Sequence, residues 1–281
     1  MILETTENVT RAALRELAND AFSDYVLPAP PMPQAAFDDM LLQRGFDPAL
    51  SWVAREGDTL AAYWFVGTEP EAQPNLSYGL SVGTRPRFRR RGLSMTLWQR
   101  ASAALKAAGY SEHVLEVIES NDRAVALYER LGFSKARRVS CFKGPAPIET
   151  KNPYRIEQVR IEVALAIGKN FREWAPTWQN ADPAVRNLTN TMAASVVYDG
   201  DKPIAYGIFH TAYGQVVQIA VHPDYRRQGI ASAIIASWAK TFGNEVMGTL
   251  NIPDTANASL ALFRSLGWEN HVNQFELSFK L

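Results

Sequence analysis

Two short stretches of this 281-residue chain combine arginine, glycine and a small residue at a spacing suited to holding an anion. Residues 85–94 read RPRFRRRGLS and residues 222–231 read HPDYRRQGIA. Both contain Arg-x-x-Gly-x-small: Arg89, Gly92 and Ser94 in one, Arg226, Gly229 and Ala231 in the other. In each case a run with strand character leads in and a run with helical character leads out. Such a turn leaves the first helical N–H groups without intrahelical partners, converging on one point where the helix dipole adds positive potential. Glycine removes the Cβ that would keep a ligand away from the backbone. In the first stretch Arg89, Arg90, Arg91, Gly92, Leu93 and Ser94 therefore form a cradle that fits a diphosphate. Arg85 and Arg87 lie on the wrong side of it and read as solvated charge. Neither stretch is G-x-x-x-x-G-K-[ST] or a three-glycine dinucleotide fingerprint, which disfavours a triphosphatase or a dehydrogenase.

The two turns are copies. Pro86 and Pro223, Arg89 and Arg226, and Gly92 and Gly229 all stand 137 residues apart. Downstream, NDRAVALYERLGF (121–133) is echoed by NASLALFRSLGW (257–268), with Gly132 and Gly267 separated by 135. Two matches in the same order mark a duplicated domain, with a period far beyond that of a solenoid repeat. The stretch GPAPIETKNP (144–153) has linker composition, so the expected domains are 1–145 and 150–281.

Periodicity places these motifs on elements. In the first copy, helices are expected over 10–22 and 33–45, a hairpin over 51–67, a strand over 76–84 and a helix over 92–108. A strand at 113–120, a helix at 122–132 and a last strand near 136–143 follow. The second copy repeats the order: a helix at 161–174, strands at 194–199, 203–211 and 214–221, then helix, strand, helix and a terminal strand. Both copies read as an α/β domain with a mixed sheet. Trp52, Trp64 and Trp98 are expected in the core.

Composition limits the alternatives. Lys plus Arg equals Asp plus Glu at 29 each, which argues against a dedicated nucleic-acid binder, whose affinity rests on surplus positive charge. The one cysteine, Cys141, rules out an internal disulfide and a Cys-cluster zinc site, and the four histidines lack metal-ligand spacing. No metal is expected. No apolar run is long enough to span a bilayer, and the N-terminus is unlike a signal peptide. No membrane or nucleic-acid partner is expected, and the location reads as cytoplasmic.

The Pro-x-[Phe/Tyr]-Arg-Arg-x-Gly turn, the helix behind it, a strand and N-x-x-A-x-x-L-Y-E-x-L-G-F together resemble the GCN5-related N-acetyltransferase (GNAT) superfamily. The resemblance covers most of each half and is strongest over 80–133 and 216–268. It implies two tandem acyl-CoA N-acyltransferase domains using acetyl-CoA as co-substrate and an amine as acceptor. It further implies that strand 76–84 splays from its neighbour and contacts the pantetheine arm through Val82 and Thr84. The turn Arg89–Ser94 would then hold the pyrophosphate, Asn121 would touch the cofactor, and the Tyr128 hydroxyl would protonate the departing thiolate. Read without the family, Tyr128 is an amphipathic core tyrosine on a stripe made by Ala124, Leu127 and Leu131.

The copies differ at that position: four residues before the glycine of L-G-[F/W], the first has Tyr128 and the second Phe263. The expectation is a catalytic first domain and a degenerate or supporting second one, which still offers Arg226, Gly229 and Ala231 to a cofactor. Glu116 and Glu119 are the nearest candidates for a general base, and also read simply as sheet-edge carboxylates. Phe22, Asp24 and Tyr25 could line an acceptor pocket or belong to a surface loop. A non-catalytic acyl-CoA-binding scaffold is the alternative reading. Acceptor, acyl length and the choice between monomer and homodimer are not written in the sequence.

Overall fold

The computed structural model describes residues 1–148 and 152–281; residues 149–151, inside the expected linker and including the expected start of the second domain, lie outside the described residues. The chain forms two compact units, Met1–Ala136 with Phe275–Leu281, and Arg137–Gln274. These limits differ from a division at 145 and 150. They fall inside two twelve-residue strands, Ser134–Pro145 and Glu269–Lys280, rather than in the proline-bearing stretch. Composition marks where regular pairing stops; it does not say which sheet a strand has joined.

The first unit contains β1 (Ile2–Thr5), α1 (Arg11–Ala21), α2 (Gln34–Gln43), β2 (Trp52–Glu56), β3 (Thr59–Thr68), β4 (Leu76–Thr84), α3 (Leu93–Ala107), β5 (Glu112–Ile118) and α4 (Asp122–Arg130). β1 to β4 are successive antiparallel neighbours, and β5 joins β4 in parallel. Alternation along β3 decides what covers each face. Trp64 turns towards α3 and α4, its ring centroid 4.7 Å from Trp98 and 6.0 Å from Tyr128. The next residue, Phe65, turns the other way, against Phe37 of α2 and against Phe46. Every residue from Leu60 to Val66 is buried, as a strand covered on both faces requires. The chain's last residues complete this core: Phe279 lies 5.1 Å from Trp98, and Leu277 is fully buried. Trp52 is only half-buried.

The second unit takes up β6 (Ser134–Pro145) from Arg137 and continues with β7 (Arg155–Val159), α5 (Ile161–Gly168), α6 (Asp182–Asn187), β8 (Met192–Asp199), β9 (Lys202–His210), β10 (Gln215–Val221), α7 (Ile230–Phe242), β11 (Val246–Pro253), α8 (Asn257–Ser265) and β12 (Glu269–Lys280) as far as Gln274. β7 to β10 are antiparallel, β10 and β11 parallel, and β11 antiparallel to β6. On β9, Phe209 stacks on Trp238 of α7, while Tyr206 and Ile208 pack with Ile161 and Leu165 of α5. Gly207 is required by close approach, because a Cβ there would sit 2.5 Å from the Trp238 ring. The helix expected over 161–174 stops at Gly168, where a Cβ would meet the Tyr206 ring at 2.4 Å. The chain then leaves the helix as a loop through Phe171–Trp174. Strands β1 and β7 and helix α6 were not legible as elements in the sequence.

Candidate functional site

The two arginine–glycine turns share one backbone. Arg90 and Arg227 both have φ of 65°, and Gly92 and Gly229 have φ of 74° and 78°. Two left-handed residues so close together form a concave nest of N–H groups, and each glycine is the N-cap of the helix behind it. The N–H groups of Leu93, Ser94 and Met95, and of Ile230, Ala231 and Ser232, precede any intrahelical acceptor. A Cβ on either glycine would meet nothing within 4 Å. The handedness of the backbone, rather than crowding inside the fold, therefore calls for glycine, and the space before each turn is open.

A fork in the sheet leads to each turn. β4 pairs with β5 only over Leu76–Tyr78, although β4 runs on to Thr84. β10 pairs with β11 only at Gln215 and Val216 and runs on to Val221. The backbone of Val82 and Thr84 thus follows the open side of the first fork, and that of Ile219 and Val221 the second. A bulge at Leu80, repeated at Val217, re-aims the next residues, Ser81 and Gln218. The Thr84 hydroxyl lies 3.4 Å from that of Ser94.

The arginines divide into different roles. Arg89 donates from both terminal nitrogens to the Asp24 carboxylate at 2.6 Å, from Nε to the Thr84 carbonyl and from Nη2 to the Ala21 carbonyl. The hydrogen bond from Arg89 holds the Asp24 carboxyl below its usual range. Arg226 repeats this, donating to the Val221 carbonyl and to Glu173. Arg91 pairs with Glu56. Arg90 is exposed, and neither Arg90 nor Arg227 makes an ion pair among the described residues. Arg85 departs from the sequence reading. Its side chain is 14% exposed and pairs with Glu16 and Asp20 of α1, so it is a packed ion pair and not solvated charge. Arg87 is exposed over the Phe88 ring.

The second motif closes the first fork. Asn121 caps α4, accepting from the Ala124 N–H at 3.2 Å; burial raises the Tyr25 phenol, and Asn121 partly offsets that rise. Tyr128 is the buried residue of α4, more so than the expected stripe residues Ala124, Leu127 and Leu131. Burial pushes the Tyr128 phenol well above its usual pKa, with the Tyr25 charge adding to the shift, so it stays protonated. Burial raises Tyr63 too, a neighbour of both. In the second unit Phe263 is fully buried and stacks on Trp268 and Phe142. Ala256 holds the capping position there without a side-chain bond, and Asn257 is the first helical residue.

A strand fork ending on a doubly left-handed turn and a helix, present twice, agrees with the family comparison. Residues 11–133 match the acetyltransferase (GNAT) family, and residues 192–270 match an acetyltransferase (GNAT) domain. The chain is a tandem two-domain member of the GNAT family. Solved structures with the same fold include a tandem GNAT protein from the clavulanic acid biosynthesis pathway, at 15% identity and TM-score 0.72, covering 99% of this chain and 98% of that one. A GCN5-related N-acetyltransferase from Sphaerobacter thermophilus gives 15% identity and TM-score 0.71, covering 99% and 95%. In sequence, the mycothiol acetyltransferase of Streptomyces avermitilis is 33% identical over 102 residues, 36% of this chain and 32% of that protein. That of Beutenbergia cavernae is 36% identical over 103 residues, 34% and 33% of the two chains. The chain thus covers about a third of the length of these curated relatives.

The second GNAT domain contains a cavity of about 390 Å³. Its walls are the β10 edge from Gln218 to Val221, the turn with Arg226, Arg227, Gly229 and Ala231, and the α8 face at Ser259 and Leu262. The loop Phe171–Trp174 closes it, and Trp174 donates to the Ser259 hydroxyl at 3.4 Å. All three second-copy residues expected to meet a cofactor therefore line one space. Sequence reasoning missed the polar groups beside it. The Tyr206 hydroxyl donates to Gln218, which donates in turn to the Asn180 carbonyl and to Asp182, and Asp182 takes both ends of Arg172. The matching pair in the first domain is Tyr63 with Ser81, at 3.0 Å. The signal for this loop was present: FSDY at 22–25 and FREW at 171–174 share phenylalanine, an acid and a second aromatic.

Among the base candidates, Glu116 accepts from the Tyr78 hydroxyl and is half-buried on β5; Glu119 is half-exposed beyond the strand's end. Among the described residues, no group of three His, Cys, Asp or Glu side chains could hold a metal ion, and no helix is long and apolar enough to cross a membrane.

Proposed function

We propose that this chain is an acetyl-CoA-dependent N-acetyltransferase acting on a primary amine of a small molecule or peptide, with the first domain catalytic. The observation that carries the reading is the β4–β5 fork, which ends on the nest at Arg90–Gly92, with the buried Tyr128 packed on Trp64 of β3, the strand next to β4. The likeness to mycothiol acetyltransferases over part of the chain supports acetyl transfer as the chemistry.

Turn N–H groups and Arg90 hold the pyrophosphate, and the free edge at Val82 and Thr84 lies along the pantetheine. The neutral amine attacks the thioester carbon, the carbonyl oxygen takes the negative charge, and backbone N–H groups along the fork stabilise it. Collapse of this adduct expels the CoA thiolate, and the Tyr128 hydroxyl supplies its proton. The amine proton leaves for a base, giving an amide and free CoA. Positioning of the two reactants contributes most of the acceleration.

The cavity around Arg226, Arg227 and Gly229 favours a second role, acyl-CoA binding, for the second domain. Release of CoA measured against pooled amines tests the activity. Comparing Tyr128→Phe with Gly229→Arg tests the division of labour, because loss of turnover in Gly229→Arg alone reverses it. Acetyl-CoA binding with no CoA release across the panel would favour a non-catalytic scaffold.

A further inference from the structure

We propose that the second domain's cavity is built to recognise a carboxylate on its ligand, with Arg172 as the recognising group and Asp182, Gln218 and Tyr206 as its support. The inference rests on the reading of this cavity as an acyl-CoA-type site.

Arg172 lines the cavity and is held by Asp182 through Nη1 and Nη2 at 2.7 and 3.1 Å. The two side chains are only 16% and 15% exposed. Burial works to raise the Asp182 carboxyl, but the hydrogen bond and charge of Arg172, with Gln218, outweigh it and keep Asp182 ionised. Asp182 uses two of the five guanidinium N–H groups. A guanidinium gripped along one edge keeps a second edge suited to a planar carboxylate.

The fold does not require this arrangement. The first domain has the same tyrosine at Tyr63, yet Ser81 stands where Gln218 does and Ser23 where Arg172 does, reading FSDY against FREW. A buried ion pair stabilises a fold little compared with apolar packing of the same volume. A pair present in one copy alone, on the wall of that copy's cavity, points to a ligand. Arg172, Arg226 and Arg227 against Glu173 and Asp182 also leave the cavity region with a surplus positive charge.

Two sources could bring the carboxylate: an acyl group ending in one, as in succinyl-CoA, or an amine acceptor carrying one, as in an amino acid. Calorimetry on the full chain separates them. One arm compares succinyl-CoA with butyryl-CoA; the other titrates amino acids and their methyl esters in the presence of CoA. The expected result is a preference of about ten-fold or more for the carboxylate in one arm, abolished in Arg172→Ser/Asp182→Asn. That double variant removes both charges together, and an unchanged circular-dichroism spectrum with unchanged melting shows that it folds. Equal binding of acid and neutral partner in both arms overturns the proposal, as does a preference that survives in the double variant. Acetyl-CoA stoichiometry, measured with and without Gly229→Arg, reads the underlying site separately. If Gly229→Arg changes nothing there, the acyl-CoA reading of the cavity has failed, whereas carboxylate discrimination lost only on changing Arg172 still upholds the proposal.

Discussion

Arg89 and Asp24 join the end of β4 to the loop after α1: one guanidinium takes both carboxylate oxygens at 2.6 Å while its Nε–H binds the Thr84 carbonyl. The second domain repeats the link with Arg226, Glu173 and the Val221 carbonyl. The first arginine of each pair therefore anchors a loop to the turn, and the second is exposed.

Asp24→Asn should consequently affect the acceptor more than the cofactor. We expect KM for the amine to rise on the order of five-fold, while Kd for acetyl-CoA changes by less than about two-fold. Steady-state kinetics beside calorimetry decides this, and a larger effect on acetyl-CoA would place Arg89 on the pyrophosphate instead.

Arg90 and Arg227 should carry the salt-sensitive part of CoA binding. Arg90→Asn, chosen because asparagine tolerates a left-handed φ, is expected to weaken CoA by about ten-fold at low ionic strength and by less at high. Arg91→Ala should change it by less than about two-fold, since Arg91 already pairs with Glu56.

Tyr128→Phe keeps the ring against Trp64 and Phe133 and removes only the hydroxyl. Turnover should fall by about a hundred-fold with KM and melting temperature nearly unchanged. A variant with wild-type kcat would leave Tyr128 as a packing residue.

His113 makes stability depend on pH. It is fully buried, with Nδ1 2.8 Å from the Ser77 hydroxyl, and burial lowers its pKa to about 3. Its folded pKa lies below the unfolded value of about 6.5, so between those values the unfolded chain binds a proton that the folded one refuses. Stability should be flat above about pH 6.5 and fall by at most about 1.4 kcal/mol per pH unit on acidification from there. Urea unfolding at several pH values should show a shallower slope in His113→Gln.

Much of this was legible beforehand because it depends on local chemistry. The spacing of Arg89, Gly92 and Ser94, matched by Arg226, Gly229 and Ala231, located both nests, since glycine at a left-handed turn and a helix start are readable from neighbouring residues. The difference between Tyr128 and Phe263 was equally plain. The fates of individual side chains were not. Arg85 and Arg90 look alike in a run of arginines, yet one is folded onto Glu16 and Asp20 and the other is exposed.

By itself, then, the sequence determined the duplication, the α/β class, the two arginine–glycine turns and the loss of a hydroxyl at Phe263, all of which rest on residue type and spacing. Tertiary structure alone decided the rest. It placed the division between units inside two strands, because pairing assigns a strand to a sheet. It also brought Arg172 from a loop, Asp182 from the start of α6, and Gln218 and Tyr206 from β10 and β9 into one buried network, because only packing can bring groups that far apart in the chain within hydrogen-bonding reach.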